Sequence, residues 1–231
     1  MQRGLSYLIE KYSVADKAEL SADGRLVTIA AKQYPTLPWE AERRIIELRN
    51  LVVQGRVGNM CTYRIGHTTK KGTDLYDLLA REIGILEFTT NSEVFEIFAI
   101  AGKDTMNCIA ETTNGCVCTI ELAATLSEGE ADIDKHEIIT DNGVACDRVV
   151  DTQVPQSSIY VFGGDKARYQ DTDAELYGYA EIEVNTIRYA FLLAKSPEAR
   201  EACLKKYEHI VEVVNAARLS ADTLENVKIG G

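Results

Sequence analysis

The chain is short of positive charge and has no long apolar run. Its 25 Lys and Arg face 36 Asp and Glu, a net charge of −11. That balance excludes nucleic acid and anionic membrane surfaces as partners, since both repel an acidic surface. No apolar stretch approaches the roughly 20 residues that a membrane-spanning helix needs. Met1-Gln2-Arg3 leads straight into a short apolar run and not into a signal peptide. The six cysteines (61, 108, 116, 118, 146 and 203) form no C-x-x-C pair and no small secreted framework. They read as reduced, buried apolar residues of a cytoplasmic protein. A glycine-rich phosphate turn, G-x-G-x-x-G, is also missing; Gly163-Gly164 follows a strand but lacks the third glycine. Without such a turn, backbone cannot approach a pyrophosphate at a helix N-terminus. Repeats and low-complexity tracts are absent too.

What is present is an ordinary globular composition, 45% hydrophobic and 26% charged over 231 residues, enough to bury a sizeable core. The chain is organised around Glu93–Gly143. Glu93–Ile100 alternates, with Val94 and Glu96 on one side and Phe95, Ile97 and Ala99 on the other. Thr105–Glu111 and Cys116–Ala124 are joined by Thr113-Asn114-Gly115, and Ile133–Thr140 and Val144–Val150 by Asp141-Asn142-Gly143. An Asn-Gly pair between β-rich runs signals a hairpin, because both turn positions tolerate positive φ. This block predicts the floor of an open antiparallel sheet with helices on one face.

Before it, Leu5–Ile9 reads as a short strand, Ser13 as the cap of a brief helix from Val14 to Leu20, and Leu26–Ala31 as a second strand. Strand, helix, strand is a parallel βαβ unit, which does not stand alone. The first 33 residues therefore read as the end of a larger α/β sheet. Pro35 and Pro38 mark a connection to an amphipathic helix, Trp39–Gln54, and a strand follows over Met60–Ile65. His67–Gly72 reads as a polar loop and Asp74–Glu87 as a helix with Leu75, Leu78, Leu79, Ile83 and Leu86 inward. Ile159–Phe162 is a further strand, and helices over Asp173–Ala194 and Pro197–Leu219 finish the chain.

The order of these features resembles the glucose-fructose oxidoreductase/inositol dehydrogenase (Gfo/Idh/MocA) family. Leu8-Ile9-Glu10-Lys11-Tyr12 is similar to its Glu-Lys-Pro signature, with Tyr12 in place of proline. Gln54-Gly55-Arg56-Val57-Gly58, the turn at Asn114-Gly115 and Asn215–Ala221 followed by Val227 keep the family's order. The resemblance implies an α+β fold in which residues 1–34 are a remnant of a dinucleotide-binding Rossmann domain. Residues 35–231 would be a substrate-binding and oligomerisation domain. It implies NAD or NADP as cofactor, not held by this chain alone, with Glu10, Lys11 and Tyr12 as the cofactor contacts. The family's Asp-x-x-x-His-x-x-Asp motif falls on Asp77–Ile85, where Asp77 stands for the first acid and Arg81 or Glu82 takes the histidine's place. Arginine, charged at every working pH, cannot remove a hydroxyl proton.

Lys11, His67, Asp77 and Glu82 are thus the candidate catalytic residues. Lys11 is also what an ordinary exposed lysine after a strand looks like. Glu82 fits the solvated face of an amphipathic helix. His67 stands in a polar loop where a proton-transfer role is open. Asp132, Asp134 and His136 share one strand face, which fits a solvent-facing strand better than a metal site. Cys108, Cys116 and Cys118 fit packing better than redox chemistry, since no basic cluster stands near them. Two function classes follow. One is an oxidoreductase for a sugar, inositol or related polyol, its cofactor half supplied from elsewhere. The other is a non-catalytic subunit that assembles through its sheet with a full-length relative. In either case the half-apolar outer sheet face predicts a homo- or hetero-oligomer.

Overall fold

A computed structural model of the chain describes residues 1–147, 158–163, 167–170 and 175–230, with 158–163 and 167–170 described by backbone alone. In chain order the elements are α1 (Gln2–Lys11), β1 (Ala18–Leu20), β2 (Leu26–Ile29), β3 (Lys32–Pro35), a 3₁₀ turn (Pro38–Ala41), α2 (Arg43–Val53), β4 (Met60–Lys70) and α3 (Leu75–Thr90). Then come β5 (Val94–Ala101), β6 (Thr105–Thr112), β7 (Val117–Leu126), β8 (Ile133–Thr140), β9 (Gly143–Cys146), β10 (Ser158–Gly163) and β11 (Ala167–Gln170). Two helices, α4 (Glu181–Lys195) and α5 (Pro197–Thr223), precede the short β12 (Val227–Lys228). The chain divides into two units: Met1–Arg43 with Thr172–His209, and Arg44–Asp171 with Ile210–Gly231.

In the first unit the expected parallel βαβ piece is not formed. Leu5–Ile9 lies within α1, and β1, β2 and β3 make an antiparallel meander. The run Leu5-Ser6-Tyr7-Leu8-Ile9 satisfies either period, and burial decides between them. A strand would hide Leu5, Tyr7 and Ile9 together, whereas here Leu5 and Leu8 are fully buried and Tyr7 is 46% exposed. Gly4 lets α1 sit close to α4, because a Cβ there would meet Ile187 Cδ1 at 2.9 Å. No helix follows Ser13, which takes a left-handed φ of 52°, and Ala18–Leu20 pairs with β2 instead. The β2–β3 turn is made by Ala30 and Ala31, both left-handed (φ 49° and 63°). This conformation costs an L-residue roughly 1–2 kcal/mol. Leu5, Leu8, Val27, Ile29, Leu37, Ile187, Tyr189 and Leu193 form the buried core of this unit.

The second unit carries a nine-stranded sheet, ordered β11-β10-β9-β8-β4-β7-β6-β5-β12. Every pairing is antiparallel except β4 with β7. The expected open, mostly antiparallel sheet is therefore present, and the expected Val144–Val150 strand is seen as far as Cys146, residues 148–150 lying outside the described residues. Both Asn-Gly turns form: Gly115 (φ 83°) closes β6–β7, and Gly143 opens β9. One sheet face is buried. On β6, Met106, Cys108 and Ala110 are covered while Thr105, Asn107 and Ile109 are exposed. A bulge between Val94 and Glu96 puts Val94 on the buried side with Ile97 and Ala99, where strict alternation had set it opposite them.

Two helices expected from the sequence begin later than predicted. Pro38 opens a 3₁₀ turn that ends at an extended Glu42, so α2 starts at Arg43 and not at Trp39. Helix α4 starts at Glu181; of the earlier expected start, Asp173 and Ala174 lie outside the described residues, and Gly178 (φ 92°) interrupts the stretch after them. Helix α3 is pinned at both ends. Asp74 accepts from the Tyr76 amide at 2.7 Å, and Asn91 (φ 53°) ends the helix in a left-handed cap. Arg49 of α2 donates to Phe88 O and to Asn91 Oδ1, its guanidinium lying over the Phe88 ring. A cation at a helix C-terminus is favourable against the dipole, and this one fixes the register of α3 above the sheet.

Candidate functional site

Helix α3 packs over β6 and β7, and its polar side chains meet those of β4 and β8 on the buried face of the sheet. Along β4 the inward positions are Tyr63, Ile65, His67 and Thr69, and along β8 they are Asp134, His136, Ile138 and Thr140. The register sets His67 opposite Asp134 and Ile65 opposite His136. On α3 the buried stripe is Leu75, Leu78, Leu79, Glu82, Ile83 and Leu86. Glu82 thus occupies an apolar-stripe position and has no solvent exposure at all.

Glu82 is the hub. Its Oε1 accepts from His67 Nδ1 (2.7 Å) and from Arg81, and its Oε2 accepts from His136 Nε2 (2.9 Å). His136 Nδ1 donates to Asp147 Oδ2 at 2.5 Å, and its backbone N–H donates to Asp147 Oδ1 at 2.7 Å. Arg44 makes a bidentate pair with Asp134 (2.9 and 2.7 Å) and also reaches Asp147 Oδ2 at 3.0 Å. Arg81 Nη2 completes the ring to Asp134 at 3.1 Å. Burial alone would push the Glu82 carboxyl up, but Arg81, His136 and His67 outweigh it and hold it far below the usual carboxylate range. Asp134 is depressed in the same way, its burial overcome chiefly by Arg44. Burial would lower His136, yet Asp147 and then Glu82 raise it to about 10, so it is an imidazolium at neutral pH.

His67 is the unsatisfied member. Two groups reach His67 Nδ1, the Glu82 carboxylate at 2.7 Å and Arg81 Nη1, a donor, at 3.2 Å. The nearer carboxylate, which Arg81 itself also binds, places the ring proton on Nδ1 and leaves Nε2 as an acceptor. Nε2 is buried and has no hydrogen-bond partner. The nearest charged oxygen is Asp132 Oδ2 at 3.8 Å, and Asp132 Oδ1 accepts from Thr69 Oγ1 at 3.0 Å. The Asp132 side chain is half exposed. A buried nitrogen without a partner costs about 1–3 kcal/mol, and each such case in a folded protein calls for a reason.

The structure therefore joins two of the sequence candidates, His67 and Glu82, and revises both. His67 lies on β4 and is buried, not in a polar loop, because β4 continues its alternation to Lys70. Glu82 is at the centre of the network, not on a solvated face. Asp134 and His136 face the core and not solvent; among the described residues no group of three or more His, Cys, Asp or Glu is arranged to hold a metal. Asp77 is exposed, one turn before Arg81 on α3. Lys11, Glu10 and Tyr12 are exposed in the other unit, where they end a helix and not a strand. Lys11 Nζ and Tyr12 Oη both bind Glu175 Oε1 at 2.5 Å. Arg44 and Asp147 complete the cluster, and the sequence pattern did not single them out.

These residues do not fit a dinucleotide cradle. The first unit has an antiparallel meander where a parallel βαβ and glycine-rich turn would be needed, and its candidate contacts are tied to Glu175. Near Glu175 a cavity of about 440 Å³ is lined by Arg3, Tyr7, Tyr177 and Tyr179.

No protein-family model and no curated protein matches the sequence. Solved structures do match. An oxidoreductase domain protein from Kribbella flavida aligns at 14% identity with a TM-score of 0.63, over 84% of this chain and 66% of that one. A levoglucosan dehydrogenase in complex with NADH and levoglucosan aligns at 12% identity and TM-score 0.63, over 84% and 65%. An oxidoreductase from Agrobacterium radiobacter in complex with NAD+, L-tartaric acid and magnesium aligns at 12% identity and TM-score 0.69, over 84% and 64%. The chain thus spans just under two thirds of the length of each. It shares its fold with these oxidoreductases.

Proposed function

We propose that this chain is the substrate-side part of a nicotinamide-dependent oxidoreductase acting on a sugar, inositol or related polyol. The dinucleotide, NAD or NADP, would be held by a segment or partner beyond the described residues. The observation that carries this reading is His67: a buried histidine whose Nδ1 proton is fixed by a carboxylate and whose Nε2 is unoccupied. Dehydrogenation of an alcohol needs a base for the hydroxyl proton. On accepting it at Nε2, His67 becomes an imidazolium facing Glu82 on one side and Asp132 on the other, and both stabilise the new charge. Arg81, which with Glu82 shares the place that the resemblance gives to the family's histidine, stays charged and orients Glu82 and Asp134. The likeness to oxidoreductases solved with NADH or NAD+ supports the same class.

The test is turnover of a panel of sugars and inositols with NAD+ and with NADP+, using the chain alone and together with any oxidoreductase encoded beside it. Polyol-dependent reduction of the nicotinamide that is abolished by His67→Ala supports the proposal. Turnover indifferent to His67→Ala, or none in any combination, overturns it and favours a non-catalytic subunit.

Assembly is part of the same reading. The outer sheet face exposes Ile100, Ile109, Val117 and Ile133 among polar neighbours. A second copy or a longer relative seated there would cover them, with a buried area above roughly 1,000 Å². Light scattering that finds only a 25.6 kDa monomer at micromolar concentration would contradict this. No helix among the described residues is long and apolar enough to cross a membrane. All six cysteines are free thiols, in keeping with a cytoplasmic setting as part of the proposal.

A further inference from the structure

The network extends two residues past what a simple base needs. A histidine base requires one carboxylate behind it, and Glu82 provides that. Glu82 in turn is held by His136, and His136 by Asp147, so four side chains stand in line: His67, Glu82, His136, Asp147. Three of the four have no measurable exposure, and His67 has 5%. Burying a charged chain of this length is costly unless each member is paired, and here the only open valence is His67 Nε2.

We infer that His136 is a positioning residue that sets the tautomer of His67 through Glu82. A carboxylate bound at one oxygen can turn about its terminal torsion, which is broad and roughly two-fold. Glu82 cannot turn, because His136 takes Oε2 while His67 and Arg81 take Oε1. His136 is itself fixed twice by Asp147, once through its ring Nδ1 and once through its own backbone N–H. The groups facing His136 from the packed elements are Glu82 on α3, Asp147 after β9, Asp134 on its own strand and the Tyr63 ring on β4, tilted at 6.4 Å. Arg44 and Arg81 approach from α2 and α3 and bind Asp147, Asp134 and Glu82. With both nitrogens donating to carboxylates, the ring remains an imidazolium. Glu82 then stays ionised and accepts the Nδ1 proton of His67, and Nε2 is left as the acceptor. The role assigned to that acceptor rests on the reading of His67 as a base; the tautomer does not.

Nitrogen-15 NMR of histidine-labelled full chain tests the inference without a substrate. Single substitutions of each histidine, including His209→Gln, assign the rings. In the wild type His136 should carry protons on both nitrogens from neutral into alkaline pH, and His67 should carry a single proton on Nδ1. In His136→Gln the His67 signal should pass from one tautomer to a mixture. If that variant does not fold, Asp147→Asn serves instead, and there His136 should become neutral near neutral pH. An Nε2-protonated His67 in the wild type overturns the inference. So does a His67 tautomer unmoved by His136→Gln, or a His136 still doubly protonated in Asp147→Asn. Failure of all polyols to turn over would sink the oxidoreductase reading and leave these spectra unchanged, so the two outcomes are distinguishable.

Discussion

In each unit of this protein a glutamate gathers three donors, and the two glutamates differ in what surrounds them. Glu175 takes Lys11, Tyr12 and Arg188, with about a quarter of its side chain in solvent. Glu82 takes His67, His136 and Arg81 with none. What separates the two is the medium. Water screens the first set, so an exposed ion pair contributes little. In the second the charges feel one another in a low effective dielectric, and each depends on all the others. The lesson is that a glutamate among donors becomes a chemical device only where solvent is excluded.

The sharpest way to break this comparison is to remove the two carboxylates in turn. Glu82→Ala should strand His136 and Arg81 without an acceptor and cost about 3–5 kcal/mol in urea unfolding, the range for halving a buried ion pair. A loss below about 1 kcal/mol would show that water reaches the site and screens it.

Stability against pH should show the next largest effect. His136 has its pKa raised from 6.5 to about 10. Its contribution is complete below 6.5 and is lost as pH rises toward 10, with a slope of up to about 1.4 kcal/mol per pH unit. Glu82 and Asp134 are depressed, so their contribution is present above their ordinary values of 4.5 and 3.8 and declines as pH falls below them. Unfolding free energy should therefore peak between about 4.5 and 6.5. His136→Gln should flatten the alkaline limb and leave the acid limb in place.

A smaller gain should come from the first unit. Replacing Ala30 and Ala31 with Asn and Gly suits the left-handed turn they occupy and should stabilise by about 1 kcal/mol. A loss on unfolding assays would mean that the turn is not left-handed at both positions. Smallest of all, Lys11→Ala should leave the unfolding midpoint with the wild type, since Lys11 and its partner are open to solvent. A clear drop there would erase the distinction between the two glutamates.

The hairpins were legible because their signal is local. Asn114-Gly115 and Asn142-Gly143 state the turn chemistry directly, and the strands on either side alternate. The helix α1 was not, since five apolar or small residues in a row fit both periods until Leu5 and Leu8 are seen buried and Tyr7 is not. The site was half legible. Glu82 continues the α3 stripe seven residues after Leu75, His67 continues the alternation of Tyr63 and Ile65, and His136 alternates with Ile138. A polar residue in phase with an apolar face is the signal that was available for all three. Arg44 and Asp147 gave no such signal, because their roles arise only when α2 and the end of β9 meet β8.

The proposed function requires that sugar recognition belong to the buried histidine and not to the tyrosine-lined cavity beside Glu175. Calorimetric binding of the sugar and inositol panel to the wild type, His67→Gln and Glu175→Gln tests it most directly. Binding lost in His67→Gln and kept in Glu175→Gln is the predicted result. Binding kept in His67→Gln and lost in Glu175→Gln would contradict it and move the site to the other unit.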